Sequence, residues 1–511
     1  MHLFFLHGNE PEVKLLLERL LIPHGSLYPA GLACNALLLW GGKHRDKLRK
    51  THSARILNRF EATELAGKPK LRDRTLALHG LKTMERLPGG SRKGSLGGDF
   101  SREYLVPVFQ MEALAVFEKK NEGALLTSQT RIFHARSRFH ELEPSDQTFH
   151  AKRASREAVK AVYALGLDYA LVDIGIRPNG DTVIADVRPT FPMTLRYAEL
   201  FADAIARYGD QLSREMSRQT PVLLGADPEF VLQNPEGRVV PASRFFEKDG
   251  PVGSDGVVLR SHKVVQALVE LRPAPSTNPR ELVRRLKQTM RQAAEMIGDD
   301  SLEWLAGGMP VKGLALGGHI HFSGLWPNVH LLRTLDNYLA LPLSLVEGEG
   351  AKRRRPRYGK LGDFRKKAHG GFEYRTLPSW LVSPETAVGV LTLARIIGDH
   401  YAKFDYDPLS LPDIQQAYYE GDKLAIIPHV ERLWKDIEAT PSYKAYRSEL
   451  DWLKKRMLTL HSWDETEDFR RRWGVELADE PQVWILSGEI NRPGAKARGG
   501  GAVSGVWLAG R

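Results

Sequence analysis

The sequence has a single cysteine, Cys34, among 511 residues. One thiol excludes an intramolecular disulfide, and it also excludes zinc or iron–sulfur sites that are built from several thiolates. Any metal in this protein must therefore be held by oxygen or imidazole nitrogen. The scarcity of cysteine also suits a reducing compartment.

Long apolar runs and internal repeats are missing as well. The stretch Met1–Gly8 is broken by histidine and glycine and has no cationic start, so it does not have the form of a signal peptide. No later run reaches the roughly 18 to 20 apolar residues that span a bilayer. We expect a cytoplasmic protein with no membrane partner, and the lack of repeats argues against a solenoid.

What the sequence does have is an ordinary globular composition in a long chain. Hydrophobic residues make up 42% and charged residues 26%, and a chain of this length is expected to fold as more than one unit. The 73 basic and 62 acidic side chains leave a net charge of +11. That excess favours polyanionic partners but does not choose among a nucleotide, a nucleic acid and a membrane surface.

Shifts in the composition predict five regions. Helical and strand patterns alternate up to about residue 217, short strands then surround a helix predicted over 279–297, and helical periods dominate after residue 400. This mixture indicates an α+β fold. The predicted regions are a small leader unit (1–50), an α+β domain (51–217), a second α+β domain (218–400), its helical extension (401–478) and a flexible tail (479–511).

A predicted β-hairpin sets two carboxylates face to face. Its strands are joined by the sequence Pro-Asn-Gly-Asp at 178–181, a strong hairpin signal. With Asn179 and Gly180 as the two turn residues, Asp173 lies directly opposite Asp186, with Cβ atoms about 5 Å apart. Like charges at this distance destabilise a sheet unless a cation lies between them, which favours a divalent metal such as Mg²⁺.

The hairpin resembles the carboxy-terminal half of an ATP-grasp domain, in which two acidic residues on adjacent strands hold magnesium against ATP. The family usually has Glu followed two positions later by Asn, whereas this chain has Asp186 and Arg188. Arg188 shares the face of the aspartates, and a structural cluster without metal is therefore the alternative. For the glycine-rich segment 88–98, a plain flexible loop is the alternative to a phosphate-covering loop. The resemblance implies ATP contacts for Lys70, Arg92, Lys93 and Glu103.

The second half of the chain repeats a different pattern, in which two polar side chains stand two positions apart on a short strand. Such residues share one face of the strand. A solvated sheet face is the alternative explanation for any single pair. Carboxylate, imidazole and guanidinium groups flanked by glycine are nevertheless unusual on a solvated face, and we expect them to converge. The pairs are Asp227 with Glu229, Glu270 with Arg272, His319 with His321, and Glu373 with Arg375.

This set of groups is suited to phosphoryl transfer. The four carboxylates would hold Mg²⁺ ions that bridge nucleotide phosphates, and Arg272 and Arg375 would neutralise charge on the transferring phosphoryl group. His319 and His321 would bind metal or phosphate. A His-x-His pair with a glutamate also suits zinc, which stays an alternative.

Residues 223–395 resemble the glutamine synthetase and glutamate–cysteine ligase superfamily, and more closely its phage-type branch, the COOH.NH2 ligase type 2 amidoligases. The resemblance implies that Glu373 is a metal ligand and Arg375 a phosphate contact. It also implies that Arg355 and Arg365 contact ATP. The family resemblances thus predict an ATP-grasp-like domain followed by an amidoligase domain with an antiparallel sheet.

Two details of this half leave specific expectations. Many relatives have Glu-x-Glu where this chain has Asp227-Pro228-Glu229. A proline removes one amide from a strand ladder, which predicts an edge or bulged strand.

The basic run 352–357 would be a mobile loop that brings Arg355 or Arg357 onto ATP. A nucleic-acid patch, a localisation signal and a solvated loop are the alternatives.

Both resemblances imply one chemistry. ATP phosphorylates a carboxylate, an amine attacks the acyl phosphate, and ADP, phosphate and an amide are released. Two such units in one chain suggest successive couplings on one peptide or amino-acid substrate. The alternatives are a guanidino or carboxylate kinase and a basic nucleic-acid-binding protein with degenerate ligase domains, the latter because the sequence pI is about 9.4.

Overall fold

The computed structural model describes residues 3–29, 32–41, 55–84, 100–120, 138–258, 264–368 and 370–475. Helices and mostly antiparallel strands mix in these ranges, so the α+β expectation is confirmed. The described chain up to Val475 is one compact unit. The region boundaries expected from composition stay a prediction, and the tail 479–511 lies outside the described residues. No helix in these ranges combines the length and the apolarity needed to cross a membrane.

The chain begins with a small parallel sheet. Its elements are β1 (Leu3–Leu6), α1 (Lys14–Leu17), β2 (His24–Gly25), β3 (Ala36–Leu39) and β4 (Arg55–Leu57). The strand order is β2-β1-β3-β4. Strands β1 and β3 are short apolar runs that are buried over their whole length, which is typical of a parallel sheet covered on both faces. Because β4 lies beyond residue 50, the sheet extends past the leader unit that composition predicts.

An antiparallel sheet with flanking helices follows. Its elements are α2 (Phe60–Gly67), α3 (Pro69–Leu78), β5 (Arg102–Phe109), β6 (Glu112–Ala113), β7 (Phe117–Lys120), β8 (Arg138–Glu141), α4 (Phe149–Ala164), β9 (Tyr169–Ile176), β10 (Thr182–Arg188) and α5 (Leu195–Met216). The order is β10-β9-β5-β7-β8, and β6 pairs with β5. Helix α4 buries a face of alanines against this sheet, and such small side chains allow close packing.

The hairpin of β9 and β10 has the predicted cross-strand pairing, but its turn differs from the predicted one. Asp173 is the cross-strand partner of Asp186, as the sequence predicts. The two-residue turn is wrong, however, because Arg177 N donates to Asp181 O (2.8 Å) around a three-residue loop. A bulge between Ile184 and Asp186 then restores the register.

The rest of the described chain forms a second antiparallel sheet and a set of packed helices. Its elements are β11 (Leu223–Gln233), β12 (Val239–Val240), β13 (Val252–Val258), β14 (Val264–Leu271), α6 (Pro279–Ile297), β15 (Glu303–Leu305), β16 (Gly318–Ser323), α7 (Val329–Leu335), a π-helix (Asp336–Ala340), α8 (Leu341–Leu343), α9 (Gly350–Arg354), β17 (Phe364–Lys366), β18 (Phe372–Tyr374), α10 (Pro384–His400), α11 (Pro412–Glu420), α12 (Lys423–Glu438), α13 (Arg447–Leu458) and α14 (Arg470–Trp473). The predicted helix over 279–297 is confirmed as α6. Asn278 caps it by accepting from Arg280 N (3.0 Å).

The strand order of this sheet is β13-β14-β11-β16-β18-β17, with β12 and β15 also paired to β11. Leu224, Ala226 and Phe230 of β11 point into the main core, which also includes residues of α6 and α10. Because side chains alternate along a strand, Asp227 and Glu229 point to the opposite face. The hydrophobic core thus fixes which face of the sheet carries the polar groups.

The prediction that Pro228 marks an edge or bulged strand is wrong. Strand β11 is central, with β14 on one side and β16 on the other, and no register shift interrupts its ladders among the described residues. The pairing of β11 with β14 begins at Glu229, whose own N–H donates to Gly317 O on the β16 side (2.9 Å). The proline therefore sits where the β14 ladder has already ended.

Buried polar contacts join the two halves of the chain. Asp336 of the π-helix accepts from Tyr163 Oη on α4 (2.7 Å) and from Tyr374 Oη on β18 (2.6 Å). Burial raises the pKa of Asp336 to about 7. His79, at the end of α3, contacts Gln415 Oε1 on α11 through Nε2 (2.9 Å). The strand that carries Glu373 is thus tied to a helix from the amino-terminal half.

Candidate functional site

The four predicted polar pairs lie on neighbouring strands of the second sheet. Strands β14, β11, β16 and β18 are adjacent, and the residues that face each other across an antiparallel pair lie on the same face. This convergence was the main expectation from the sequence. The register pairs Glu270 with Glu229, Asp227 with His319, and His321 with Glu373.

Asp227, His319 and Glu373 form the centre of the cluster. Each offers one atom that can bind a metal, and these three atoms lie within 4.8 Å of one another. His319 Nδ1 is 3.4 Å from Asp227 Oδ1 and 3.4 Å from Glu373 Oε1. All three residues are buried, and Glu373 is only 1% exposed. Two carboxylates and an imidazole at this spacing suit a metal ion.

Several polar atoms of the cluster are buried without a hydrogen bond to the described residues. They are Asp227 Oδ1, His321 Nε2, Glu373 Oε2 and Arg375 Nε. His321 Nε2 lies 2.8 Å from Asp227 Oδ2, an ion-pair contact that lacks hydrogen-bond direction. Buried polar groups normally make well-directed hydrogen bonds, so a cluster whose buried atoms meet through ion-pair contacts without hydrogen-bond direction is typical of a site that binds a ligand.

Three cations surround the carboxylate of Glu373. Lys367 Nζ is 2.5 Å from Oε2, Arg375 Nε is 2.9 Å from Oε1, and Arg365 Nη1 is 3.6 Å from Oε2. The sequence reasoning identified both arginines but missed Lys367. Lys367 follows Arg365 by two positions, so the same-face rule that was applied to the four pairs would have found it.

Glu229 and Glu270 form the flank of the cluster on β11 and β14. Glu229 accepts a hydrogen bond from Gly317 N (2.7 Å), whereas Glu270 is paired with Arg272. A Cβ atom at Gly253, opposite Glu270, would lie 2.1 Å from Arg272 Nη1. Glycine at this position therefore leaves the room that Arg272 needs to fold back over the sheet.

The pKa values of the carboxylates in the cluster are shifted in opposite directions. Burial opposes the charge of Asp227, yet the imidazoles of His319 and His321 hold its pKa well below the usual range. Burial also opposes the charge of His319, but Asp227 and the other carboxylates raise its pKa. Burial and the nearby Asp227 carboxylate raise the pKa of Glu270 to about 8. The lowered pKa favours the ionised form of Asp227, while the raised pKa favours the protonated form of Glu270.

The structure places Arg355 away from this cluster. It is buried in an ion pair with Glu347, and its guanidinium lies 4.0 Å from the centroid of the Tyr418 ring. Arg354 is also buried and donates to the carbonyls of Thr376 (2.9 Å) and Leu377 (2.7 Å). The basic run is therefore in part the end of α9 and in part packed interior, in contrast to the mobile loop expected from the sequence.

The predicted residues of the amino-terminal half form a separate group. Arg188 Nη2 lies 2.5 Å from Asp173 Oδ1, and Arg72 of α3 is paired with Asp186. Each aspartate thus has its own arginine, and no local sequence pattern pointed to Arg72.

The remaining predicted ATP contacts are dispersed. Glu103 is paired with Lys119 (2.6 Å), and Lys70 is exposed on α3. Arg92 and Lys93, with the segment 88–98, lie outside the described residues. The described part of the amino-terminal half therefore brings Asp173 and Asp186 together without assembling the rest of the predicted set.

Comparison with known families assigns the half that carries the cluster. Residues 224–475 match the family described as phage phiEco32-like COOH.NH2 ligase-type 2. This region of the chain is therefore similar to a family of carboxylate–amine ligases, as its polar strand pairs suggest. No curated protein matches the chain.

Solved structures that match the chain include several ATP-grasp ligases. The ATP-grasp ligase PsnB complexed with a minimal precursor is 12% identical, with 40% of this chain and 99% of that chain covered and a TM-score of 0.30. D-alanine–D-alanine ligase from Bacillus anthracis is 14% identical, with 42% and 99% covered and a TM-score of 0.30. A bifunctional glutathione synthetase from Pasteurella multocida is 13% identical, with 52% and 50% covered and a TM-score of 0.31. These likenesses are too distant to support an argument about residues.

Proposed function

We propose that the Asp227 cluster is the centre of an ATP- and Mg²⁺-dependent ligase that joins a carboxylate to an amine through an acyl phosphate. The observation that carries this proposal is the convergence of metal-binding groups and cations around Glu373. Phosphoryl transfer from ATP needs both, because metal and cations must neutralise the charge on the phosphates. The family match supports the joining of a carboxyl to an amine.

Asp227, His319 and Glu373 would hold the first Mg²⁺, and Glu229 and Glu270 offer oxygens for a second ion. The donor set fits, because carboxylates outnumber imidazoles and buried oxygens of Asp227 and Glu373 lack hydrogen bonds to the described residues. When bound, the metal would neutralise phosphate charge and orient ATP. Binding at Glu270 would also require that its carboxyl lose the proton it holds at neutral pH.

Lys367 and Arg375 would act on the phosphoryl group. Both are now paired with Glu373. A metal cation on that carboxylate would take over its neutralisation, so the two side chains would be available to phosphoryl oxygens. Cations held at fixed positions stabilise charge that develops in the transition state without reorganising.

In the proposed reaction, a carboxylate oxygen attacks the γ-phosphorus and ADP leaves. The amine then attacks the acyl carbon and loses a proton, and inorganic phosphate leaves with one oxygen of the former carboxylate. The site would chiefly have to orient the amine beside the acyl group. We extend the proposal to a second coupling at the Asp173–Asp186 hairpin, where ATP and Mg²⁺ would have to displace Arg188 and Arg72.

The experiment that tests this function follows the oxygen of the carboxylate. The full chain is incubated with ATP, Mg²⁺ and pools of amino acids and peptides whose carboxyls carry ¹⁸O, and ADP, phosphate and new amide masses are measured. We expect ADP, an amide and ¹⁸O in the released phosphate. The matched control is Glu373→Gln, which should remove all three products of the carboxy-terminal site.

Two other outcomes would replace the proposal. If phosphate stays on the product and no amide forms, the protein is a kinase. If no pool yields ADP and the protein binds duplex DNA or RNA with a Kd near 10⁻⁸ M rather than the non-specific range of about 10⁻⁶ M or weaker, it is a nucleic-acid-binding protein. The burial of Arg354 and Arg355 argues against that second outcome.

A further inference from the structure

A cavity of about 780 Å³ lies where the amino-terminal sheet meets helices of the carboxy-terminal half. Its walls come from β4, the end of α5, the start of α7 and the end of α10. Its described lining residues are all different from those of the Asp227 cluster. The volume is within the usual range of about 300 to 1,000 Å³ for small-molecule sites.

Two of the charged pairs at this cavity are already satisfied. Arg218 Nε lies 2.9 Å from Glu215 Oε1, and Arg395 Nε lies 2.7 Å from Asp399 Oδ2. Arg59 is 3.7 Å from Asp407, a residue of the small adjoining cavity. These groups balance one another, so they do not by themselves call for a charged ligand.

Arg55 is different, because its guanidinium interacts with the Tyr208 hydroxyl but has no carboxylate partner among the described residues. Its Nη1 atom makes no hydrogen bond to the described residues, and none of their carboxylates lies within ion-pair distance of the side chain. The guanidinium lies 5.8 Å from the centroid of the Tyr401 ring, which holds it at the cavity wall. Arg55 as a whole lines the open volume, and an arginine without a carboxylate partner among the described residues favours a carboxylate ligand, which can accept two hydrogen bonds from a guanidinium.

Asp405 supplies a charge of the opposite sign. Its carboxylate is exposed, lines this cavity and the adjoining one, and makes no ion pair with the described part of the chain. His330 does not alter this balance, because burial lowers its pKa well below the usual range and its Nε2 contacts Tyr401 O at 2.9 Å. Arg55 and Asp405 thus give the cavity one cation and one anion that have no ion-pair partner within the described ranges.

We propose that this cavity binds an α-amino acid or a short peptide, with its carboxylate at Arg55 and its ammonium group at Asp405. One cation and one anion are matched by a zwitterion. A nucleotide or a phosphate would bring two or more negative charges to a site where the described part of the chain offers a single unpaired arginine. The inference is independent of the ligase chemistry, because the cavity and the Asp227 cluster have separate lining residues.

The test uses the full chain and defined probes. The twenty L-amino acids and a dipeptide library are screened by saturation-transfer NMR, and the binders are measured by calorimetry beside their C-terminal amides and N-acetyl derivatives. We expect Arg55→Gln to weaken binding of the free acids about 10- to 100-fold, since a charge-assisted hydrogen bond is lost. Arg55→Lys should recover part of the affinity, and the surface control Arg284→Gln should leave it unchanged.

A second variant tests the proposal if circular dichroism shows that Arg55→Gln does not fold. Asp405→Asn should weaken binding of the free amines and leave that of the N-acetyl derivatives unchanged. Binding that persists in Glu373→Gln and is weakened by the cavity variants belongs to the cavity, so failure of the ligase proposal would not affect this result. The inference is overturned if no probe binds, if acids and amides bind equally, or if neither cavity variant changes the affinity.

Discussion

The two acidic centres of this chain are both built on side chains that face each other across antiparallel strands. The facing residues are Asp173 and Asp186 in one sheet, and Asp227 and His319 in the other. In the amino-terminal sheet, Asp173 and Asp186 are each neutralised by a separate arginine. In the carboxy-terminal sheet, Asp227 and Glu373 share one imidazole and keep buried oxygens without hydrogen bonds to the described residues.

The difference shows that neighbouring cations, more than the carboxylates themselves, decide what an acidic pair is ready to bind. One arginine for each aspartate gives a closed set of ion pairs. Glu373 also has cations beside it, Lys367 and Arg375, but it shares His319 with Asp227, and a metal ion would give these two carboxylates a further common partner.

The largest effect should come from Glu373→Gln. The amide keeps the shape of the side chain but loses the charge that would hold Mg²⁺, and we expect ADP formation by the carboxy-terminal site to fall by about 100-fold or more. Calorimetry should show weaker Mn²⁺ binding in parallel. The exposed Glu431→Gln is the matched control, and unchanged ADP release in the Glu373 variant would remove this residue from the site.

The same substitution should also lower stability. Without the carboxylate, Lys367 and Arg375 lose their common partner, and we expect a cost of about 1–3 kcal/mol in the free energy of unfolding. Urea denaturation measures this cost. A variant that remains as stable as the wild type would indicate that the two cations find other partners.

Asp336 provides a third way to bury a carboxyl group, with tyrosines in place of cations. Its pKa is raised to about 7, so the folded state holds a proton that the unfolded state releases near pH 4. The free energy of unfolding should therefore fall as pH rises from about 4 to 7, by at most about 1.4 kcal/mol per pH unit. Asp336→Asn should remove this dependence, which amounts to about 3 kcal/mol between pH 4 and 7, while exposed Asp413→Asn should not. Equal slopes in both variants would contradict the assignment.

A smaller effect is expected at the amino-terminal pair. In a Glu373→Gln background, which isolates this centre, Asp173→Asn should weaken ATP binding about tenfold in the presence of Mg²⁺ if the hairpin holds a metal. Equilibrium dialysis with labelled ATP measures this. If the change leaves ATP affinity alone and raises the melting temperature, Asp173, Asp186 and Arg188 are a structural cluster.

The smallest effect should be that of Pro228→Ala. The substitution adds an N–H at a buried position where the β14 ladder has ended, and an unsatisfied donor there should cost about 1 kcal/mol. Thermal unfolding measures this cost against Pro412→Ala on α11. A stabilised variant would show that the new N–H finds an acceptor.

The polar face of the carboxy-terminal sheet was predictable because alternation along a strand is a local property. The same rule placed Asp227 with Glu229 and His319 with His321, and it would have reached Lys367. The pairing of Asp173 with Asp186 was predicted correctly even though the loop is one residue longer, because the bulge near Ala185 offsets the loop.

Long-range partners were not predictable in this way. Arg72 reaches Asp186 from a helix far away in sequence, and Arg355 is drawn into the interior by Glu347 and Tyr418. The central position of β11 also depends on where β14 stops, which the tripeptide Asp-Pro-Glu does not encode. Tertiary packing decided each of these cases.

The carboxyl group of Asp336 has a consequence for how this chain can be divided. Its hydrogen bonds connect Tyr163 of α4 with Tyr374, the neighbour of Glu373, and Gln415 and Tyr419 contact His79 near the end of α3. A fragment that starts at residue 218 would lack α3 and α4. The polar groups of Asp336, Gln415 and Tyr419 would then lose buried hydrogen-bond partners and become exposed to solvent. The strand that carries Glu373 is stabilised by contacts with residues of the amino-terminal half. Each half of the chain therefore depends on the other for its folded structure.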